Sequence, residues 1–254
     1  RRKLWKHLHQ NLAPLPVLNL GKNISIFGGV LGSPNHPQQG ENPLNVYLGW
    51  PGWDDALVSD AGLLQVLKNT VSYLESWKCG NCWPQYPPAK IRLQDRAKEA
   101  ADTWRTMTSI LEETIATNLI VADGRGNMDT AMEGAAGIGA VNEMLLQSMT
   151  GVIRLFPQVP PDAPASFNNL RARGGFLVSA TLDSTAMVSN VVISSQVGQP
   201  VVLELPWPTH VRVSVREIAS GQMVAATMKD NTLGWPTVAG HSYSVEPTFD
   251  AMYV

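Results

Sequence analysis

One carboxylate, Glu133, stands at the start of an apolar segment that reads MEGAAGIGAVNEMLLQS and spans residues 132–148. Apolar residues in this segment recur at the three- and four-residue spacing of a helix. The predicted face comprises Ile138, Val141, Met144, Leu145 and Ser148. We therefore predict a helix that begins near Glu133, in which the glycines and alanines allow close packing against neighbouring elements.

The position of Glu133 favours its ionised form. Unpaired backbone N–H groups and the helix dipole place positive charge at a helix start, which stabilises a carboxylate. A carboxylate that stays ionised can accept a proton, so Glu133 suits a general base better than a general acid. The alternative is an exposed first-turn acid without a chemical role, since acids are common there. The second acid, Glu143, stands beside the run Met144-Leu145-Leu146 and is interpreted as a structural partner.

An aromatic loop, YLGWPGWDD at residues 47–55, is the second candidate site. Aromatic rings are flat and amphipathic, so those of Tyr47, Trp50 and Trp53 could form a platform on which a sugar stacks. Asp54 and Asp55 could then bind its hydroxyl groups. The alternative is that one or both tryptophans fill the core between helices, because large aromatic residues are usually well buried.

Neither the cysteines nor the histidines indicate a metal site. Cys79 and Cys82 form a single C-x-x-C motif, and one such pair cannot complete a four-thiolate zinc site. Prolines follow it where a thioredoxin-like motif needs a helix, so we interpret the cysteines as two structural thiols or one short disulfide. The five histidines are scattered without ligand spacing. We therefore predict no metal and no cofactor.

Charge and hydropathy exclude two classes of partner. The net charge is −2, from 19 basic and 21 acidic residues, and no long run of either sign occurs. Nucleic acid and anionic membranes are therefore not expected to bind. No segment reaches the roughly 18 consecutive apolar residues that a membrane-spanning helix requires.

The periodicity of the apolar residues divides the chain into two predicted domains, residues 1–155 and 156–254. The first has a helical period, with one helix that ends near Gln10, one that follows Asp60 as N-cap, one that follows Pro88, and the segment after Glu133. After residue 156 the period changes to two, with short strands separated by turns, which predicts an antiparallel β-sandwich. About four helices are too few to enclose a core, so we expect the helical domain to be incomplete in this chain.

Three motifs in one order carry a resemblance to a known family. NEMLLQS, GVIRLFP and FNNLRARGGFLVSA, between residues 142 and 180, resemble the C-terminal part of glycoside hydrolase family 95, the inverting α-L-fucosidases and α-L-galactosidases. NLAPLP at residues 11–16 and YLGWPG at 47–52 resemble it more loosely. The resemblance implies an α+β multidomain fold, in which the C-terminal part of an (α/α)6 toroid precedes an antiparallel β-sandwich.

The resemblance also implies candidate catalytic residues. In the family, an aspartate shortly before EMLLQS is the general base that activates water. The nearest acid in register is Glu133, one residue closer to the motif, and Asp129 is the substitute. The position of a histidine that precedes the family aspartate is taken by Asn127, which we include among the substrate-binding candidates with Tyr47, Trp50 and Trp53.

The function implied is that of an inverting glycoside hydrolase acting on α-linked sugars such as α-L-fucosides. Its general acid comes from an earlier toroid helix in the family, so this chain would supply only the base. The implied partners are a carbohydrate substrate and the missing N-terminal half of the same protein, and the resemblance suggests a secreted or periplasmic location. The alternative is a non-catalytic carbohydrate-binding or structural relic, because the expected aspartate and histidine are both replaced.

Overall fold

The structure is a computed structural model that describes residues 1–28, 44–50, 52–53, 55–74, 86–94, 96–114, 131–160 and 162–248. These residues form six α-helices followed by antiparallel β-sheets, which confirms the predicted mixed α+β class and the order of its parts. A complete (α/α)6 toroid is not present among them. No helix within these ranges is both long and apolar enough to cross a membrane. Cys79 and Cys82 lie outside the described residues.

The helices occur where the sequence predicts them, with two differences, one of which is a short helix at Asp55–Ser59 that the sequence does not predict. Their bounds are α1 Arg2–Gln10, α2 Asp55–Ser59, α3 Ala61–Leu74, α4 Tyr86–Leu93, α5 Arg96–Thr114 and α6 Ala131–Leu145, and a short 3-10 helix spans Leu44–Leu48. Asp60 caps α3, since its Oδ1 accepts hydrogen bonds from the N–H groups of Gly62 and Leu63 at 2.8 and 3.0 Å. The single helix predicted after Pro88 is two helices, α4 and α5. Helix α4 carries its prolines in the first turn, where a missing N–H leaves no hydrogen bond unmade.

The buried face of α6 differs from the predicted one. Gly137, Ala140 and Met144 are buried, whereas Ile138 is 63% exposed. Helix α6 contacts α4 and strand β5, Ala165–Ala172. The small residues allow these neighbours to approach closely, and this orientation turns Ile138 outward. The prediction that Ile138 lies on the packed face is therefore wrong.

Two antiparallel sheets follow the helices. The larger has the strand order β5-β6-β7-β12-β9, with β6 Phe176–Leu182, β7 Val188–Ser195, β12 Ser242–Thr248 and β9 Arg212–Glu217. The smaller has the order β10-β11-β8, with β10 Thr227–Lys229, β11 Thr232–Trp235 and β8 Val201–Glu204. Two-stranded hairpins pair β1, Val17–Asn19, with β2, Ser25–Phe27, and β3, Leu146–Gln147, with β4, Arg154–Leu155.

Strands β5 and β6 are joined by a tight turn at two glycines. Gly174 and Gly175 adopt φ angles of +91° and +77°, which residues with a side chain rarely adopt. The chain therefore turns at these glycines, and Ala172 pairs with Phe176 across the hairpin. Ala172 before the turn and Phe176, Val178 and Ala180 after it are all buried, so they lie on one face of the sheet.

One hydrophobic cluster joins both sheets to the helices. It contains Ile193 from the larger sheet, Leu203 from the smaller sheet, and Met107 and Met144 from α5 and α6. Ile153 also reaches the smaller sheet, because its N–H donates to the carbonyl of Val202 at 2.8 Å. The sheets thus pack as a sandwich against the helical part. The division at residue 155 stays a prediction.

A second cluster holds the first hairpin against α3. It contains Phe27, Leu67, Val71 and Tyr86, among others. The N–H of Phe27 donates to the hydroxyl of Thr70 at 2.8 Å, and the Asn45 side-chain amide donates to the carbonyl of Phe27 at 3.0 Å. These bonds fix the 3-10 helix beside α3, and with it the start of the aromatic loop.

The turn between β6 and β7 supports a prediction about pH. The Asp183 carboxylate accepts hydrogen bonds from the hydroxyl of Thr185 and from the N–H groups of Met187 and Thr185, and these bonds lower the pKa of Asp183. A pKa that is lower in the folded chain stabilises the fold above the unfolded-state pKa, about 4, and this contribution is lost as the pH falls through the folded-state pKa. We expect Asp183→Asn to lower the free energy of unfolding at pH 7 but to have a smaller effect at pH 3.

Denaturant unfolding at the two pH values measures this difference. The control is Asp162→Asn, which changes an exposed aspartate outside that turn. An equal effect of Asp183→Asn at both pH values would contradict the assigned role of the carboxylate charge.

Candidate functional site

The aromatic loop takes its shape from the 3-10 helix that precedes it. The N–H of Trp50 donates to the carbonyl of Val46 at 3.1 Å, and the N–H of Gly52 donates to the carbonyl of Tyr47 at 3.0 Å. A Cβ atom at Gly52 would lie 2.5 Å from the Tyr47 carbonyl oxygen, which no side chain can accommodate without movement of the backbone. Glycine at this position therefore allows the loop to fold back, and this brings Trp50 and Trp53 near each other.

Arg92 of α4 lies between the two tryptophans. Its guanidinium carbon is 6.0 Å from the ring centroid of Trp50 and 5.9 Å from that of Trp53, within range of a cation–π interaction. The same guanidinium donates to the carbonyl oxygens of Gly49 at 2.9 Å and Gly52 at 3.4 Å. One buried cation thus holds the described part of the aromatic loop against α4.

Glu143 of α6 neutralises Arg92. The Arg92 Nε and Nη2 atoms donate to the two Glu143 carboxylate oxygens at 2.8 and 2.7 Å, in a two-pronged arrangement. The side chains are only 6% and 13% exposed. The interpretation of Glu143 as a structural partner is therefore confirmed. It links α6 to α4 and to the aromatic loop.

The two tryptophans are partly buried in this assembly. Trp50 and Tyr47 pack against the second hydrophobic cluster. The indole N–H of Trp53 is buried and has no hydrogen-bond partner in the part of the chain that the structure describes. The aromatic rings of the loop therefore fill space between helices, as the interpretation of the tryptophans as core residues predicts. They also lie beside the charged guanidinium group of Arg92. Their use as a sugar platform stays a prediction.

Trp50 also contacts α6 at Gly139. A Cβ atom at Gly139 would lie 3.5 Å from the Trp50 ring, an ordinary van der Waals distance. Alanine is favoured over glycine in a helix interior by about 0.5–1 kcal/mol. We therefore expect Gly139→Ala to raise the free energy of unfolding by about that amount.

The matched comparison for this prediction is Gly52→Ala. It adds the same methyl group where the carbonyl of Tyr47 already occupies the space, so it should lower stability. Thermal or urea unfolding of both variants measures the contrast. A loss of stability in Gly139→Ala would mean that Trp50 sits closer to α6 than the structure places it.

Of the two predicted catalytic residues, only Glu133 lies in the part of the chain that the structure describes. Glu133 is the third residue of α6, and Gly139 lies six residues further along the same helix, about 9 Å along its axis at 1.5 Å per residue. Asp129, Asn127 and Asp54 lie outside the described residues. Helix α6 is thus the element that connects Glu133 to the aromatic loop. The roles assigned to these residues stay predictions.

Arg92 is the central residue of the site that sequence analysis does not single out. Its neighbours Ile91 and Leu93 are both buried, and a charged residue between two buried apolar ones is a weak signal for a paired internal charge. Its partner Glu143 follows 51 residues later, a separation that no local pattern reveals. Among the described residues, no group of three or more His, Cys, Asp or Glu side chains could hold a metal ion.

Comparison with known proteins bears on the C-terminal part of the chain. Residues 147–245 match the family model described as glycoside hydrolase family 95, C-terminal domain. The match covers the sandwich from β3 into β12 and confirms the resemblance inferred from the sequence motifs. It does not reach Glu133 or the aromatic loop.

A solved structure and the curated proteins add no argument about function. The chain is similar to the catalytic domain of GH30 xylanase C from Talaromyces cellulolyticus, with 16% identity and a TM-score of 0.25. The similarity covers 41% of this chain and spans 27% of that chain. No curated protein matches this chain.

Proposed function

We propose that this chain is part of an inverting glycoside hydrolase that cleaves α-linked sugars such as α-L-fucosides, and that it supplies the general base. The observation that carries the proposal is the family 95 C-terminal domain over residues 147–245. This domain directly follows α6, the helix that begins near Glu133. Fold alone does not fix chemistry, so the proposal also depends on the residues at that helix start.

Glu133 is the proposed base. Inversion requires one carboxylic acid that protonates the leaving oxygen and one carboxylate, about 6.5–9.5 Å away, that removes a proton from water. The start of α6 favours an ionised carboxylate for the reasons given above. Asp129 is the substitute base.

The aromatic loop is the proposed sugar-binding part. The rings of Tyr47, Trp50 and Trp53 offer flat apolar surfaces to the C–H groups of a sugar ring. Asn127, six residues before the proposed base in the chain, is the proposed further contact.

The remaining part of the toroid and the general acid are proposed to lie in a further part of the same protein. Large apolar side chains on three described helices support this proposal. Trp5 of α1 is 69% exposed, Ile138 of α6 63% and Trp104 of α5 41%. Helices of a toroid would cover them.

The alternative function is a non-catalytic carbohydrate-binding protein or structural relic. The observation that favours it is the engagement of both tryptophan rings by Arg92, which occupies surface that a sugar platform needs. A protein of this kind would retain the fold and bind sugars without turnover.

An activity assay separates the proposed functions. The 254-residue chain and the full-length gene product are assayed on aryl α-L-fucosides and α-galactosides. We expect turnover by the full-length product and none by the chain alone, because the general acid is proposed to lie elsewhere. Turnover by the chain alone would contradict the division of the site, and sugar binding without turnover by the full-length product would favour the relic.

A further inference from the structure

The turn between β1 and β2 carries a sequence motif that the proposed function does not use. Asn23-Ile24-Ser25 reads N-x-S with a residue other than proline in the middle, which is the acceptor sequence for N-linked glycosylation. No other asparagine of the 254-residue chain is followed two positions later by serine or threonine. So short a motif also arises by chance, so its meaning depends on where the fold places it.

The backbone holds Asn23 at the tip of a tight turn. Lys22 and Asn23 have φ angles of +50° and +63°, and the N–H of Ile24 donates to the carbonyl of Gly21 at 2.9 Å. Two central residues with positive φ are typical of a type I′ hairpin turn, in which asparagine is favoured. The turn alone therefore explains an asparagine at position 23, but it does not require a serine at position 25.

The two side chains that define the motif, those of Asn23 and Ser25, are exposed and half-buried respectively. Neither forms a hydrogen bond with any residue that the structure describes. Ser25 is held instead by its backbone carbonyl, which accepts from the side-chain amide of Asn69 at 3.1 Å. No side-chain hydrogen bond within the described ranges thus accounts for a serine at position 25.

The hairpin is buried at its far end and exposed at its tip. Ile26 and Phe27 in β2 are 0% and 1% exposed, and Phe27 belongs to the cluster that packs on α3. Ile24, beside the tip, is 43% exposed. A glycan is large and strongly hydrated, so its asparagine must remain at the surface of the folded chain. Asn23 meets this requirement without displacement of the buried end of the hairpin.

We propose that Asn23 is a site of N-linked glycosylation. The side-chain amide nitrogen of Asn23 attacks the anomeric carbon of an oligosaccharide that is carried on a lipid diphosphate. A C–N bond replaces the C–O bond to the diphosphate, the lipid diphosphate leaves with the bonding electrons, and the amide nitrogen loses one proton. The hydroxyl group of Ser25 marks the acceptor for the transferase. This reaction takes place in a secretory compartment, so the proposal assumes the secreted location that the family resemblance suggests.

The test is peptide mass spectrometry of the full-length gene product from cultured eukaryotic cells. The gene is expressed from its own start codon, so that its own targeting sequence decides the compartment. Treatment with peptide N-glycosidase in water labelled with heavy oxygen leaves a labelled aspartate wherever an asparagine was glycosylated. We expect the label at Asn23 and at no other asparagine of the 254 residues. An unlabelled Asn23, in a secreted or a retained protein, would overturn the proposal.

Three variants of the motif make the test specific. Ser25→Ala and Asn23→Gly should each abolish the label, whereas Ser25→Thr preserves the motif and should retain it. Asn23→Gly still permits the positive φ angle of the turn, so loss of the label in this variant does not reflect a disrupted hairpin. Glu133→Gln should leave the label unchanged, which separates failure of this proposal from failure of the proposed catalytic function. A label that persists in Ser25→Ala would show that the motif does not direct the modification and would contradict the proposal.

Discussion

Glu133→Gln is expected to lower kcat of the full-length gene product on α-L-fucosides by about 10²–10⁴-fold, the usual contribution of a general base. Glutamine has nearly the size of glutamate and can still hold a water molecule, but it cannot accept a proton from it. Sugar binding should therefore be retained while turnover is lost. The measurement is steady-state kinetics of both proteins, with substrate affinity determined separately.

Two observations would distinguish a lost base from general damage to the site. Azide needs no deprotonation before it attacks a sugar, so it should partly restore turnover in Glu133→Gln by taking the place of water. The matched variant is Asp129→Asn, which should retain most activity. If Asp129→Asn takes the large loss and Glu133→Gln does not, the assignment of the base to Glu133 is wrong.

The second large effect is expected at the ion pair between Arg92 and Glu143. Arg92→Met removes the cation but leaves the Glu143 carboxylate almost buried and without its charged partner. Loss of one member of a buried ion pair typically costs about 3–5 kcal/mol of stability. The aromatic loop should loosen too, because Arg92 also binds the carbonyl oxygens of Gly49 and Gly52. Urea unfolding measures the free energy, and tryptophan fluorescence reports on the loop.

An exposed pair in the same chain provides the control. Arg105 and Asp102 of α5 are 2.9 Å apart, with side chains 75% and 74% exposed. Exposed ion pairs contribute about 0–1 kcal/mol, so Arg105→Met should have little effect. The double variant Arg92→Met/Glu143→Leu should regain much of the lost stability, because no unpaired charge remains. Equal effects of Arg92→Met and Arg105→Met would contradict the structural role of the buried pair.

The elements that could be predicted from the sequence are those with a local cause. Asp60 is recognisable as a cap because its side chain precedes a helical pattern by one residue, and the structure confirms its hydrogen bonds. Strands such as β7 and β12 are recognisable because buried and exposed residues alternate within them. In both cases the determining interactions lie within a few residues of each other.

Elements that depend on distant contacts were not predictable in this way. The short strands β1, β2 and β11 have too few residues to show a clear alternation of buried and exposed positions. Each is instead held in place by its pairing with a neighbouring strand. The orientation of α6 is set by its close approach to α4, so the outward position of Ile138 does not follow from hydropathy. Arg92 finds Glu143 only when α4 and α6 pack together.

In the candidate site, the aromatic loop and Glu133 can be recognised from the sequence, whereas the cation between the aromatic rings cannot. The loop residues stand out by type and spacing. Glu133 stands out by its place at a helix start, and its proposed role comes from the family resemblance. The family match begins at residue 147, after α6, so the chemistry at residue 133 must be tested by experiment.

The most direct test of the proposed function is the configuration of the first product. The full-length gene product is mixed with an α-L-fucoside, and proton NMR identifies the fucose anomer that forms before mutarotation. Water activated by a base on the face opposite the leaving group gives inversion, so we predict β-L-fucose as the first product. Formation of α-L-fucose first would contradict the proposed inverting mechanism, and no hydrolysis of α-linked sugars at all would contradict the proposed hydrolase function.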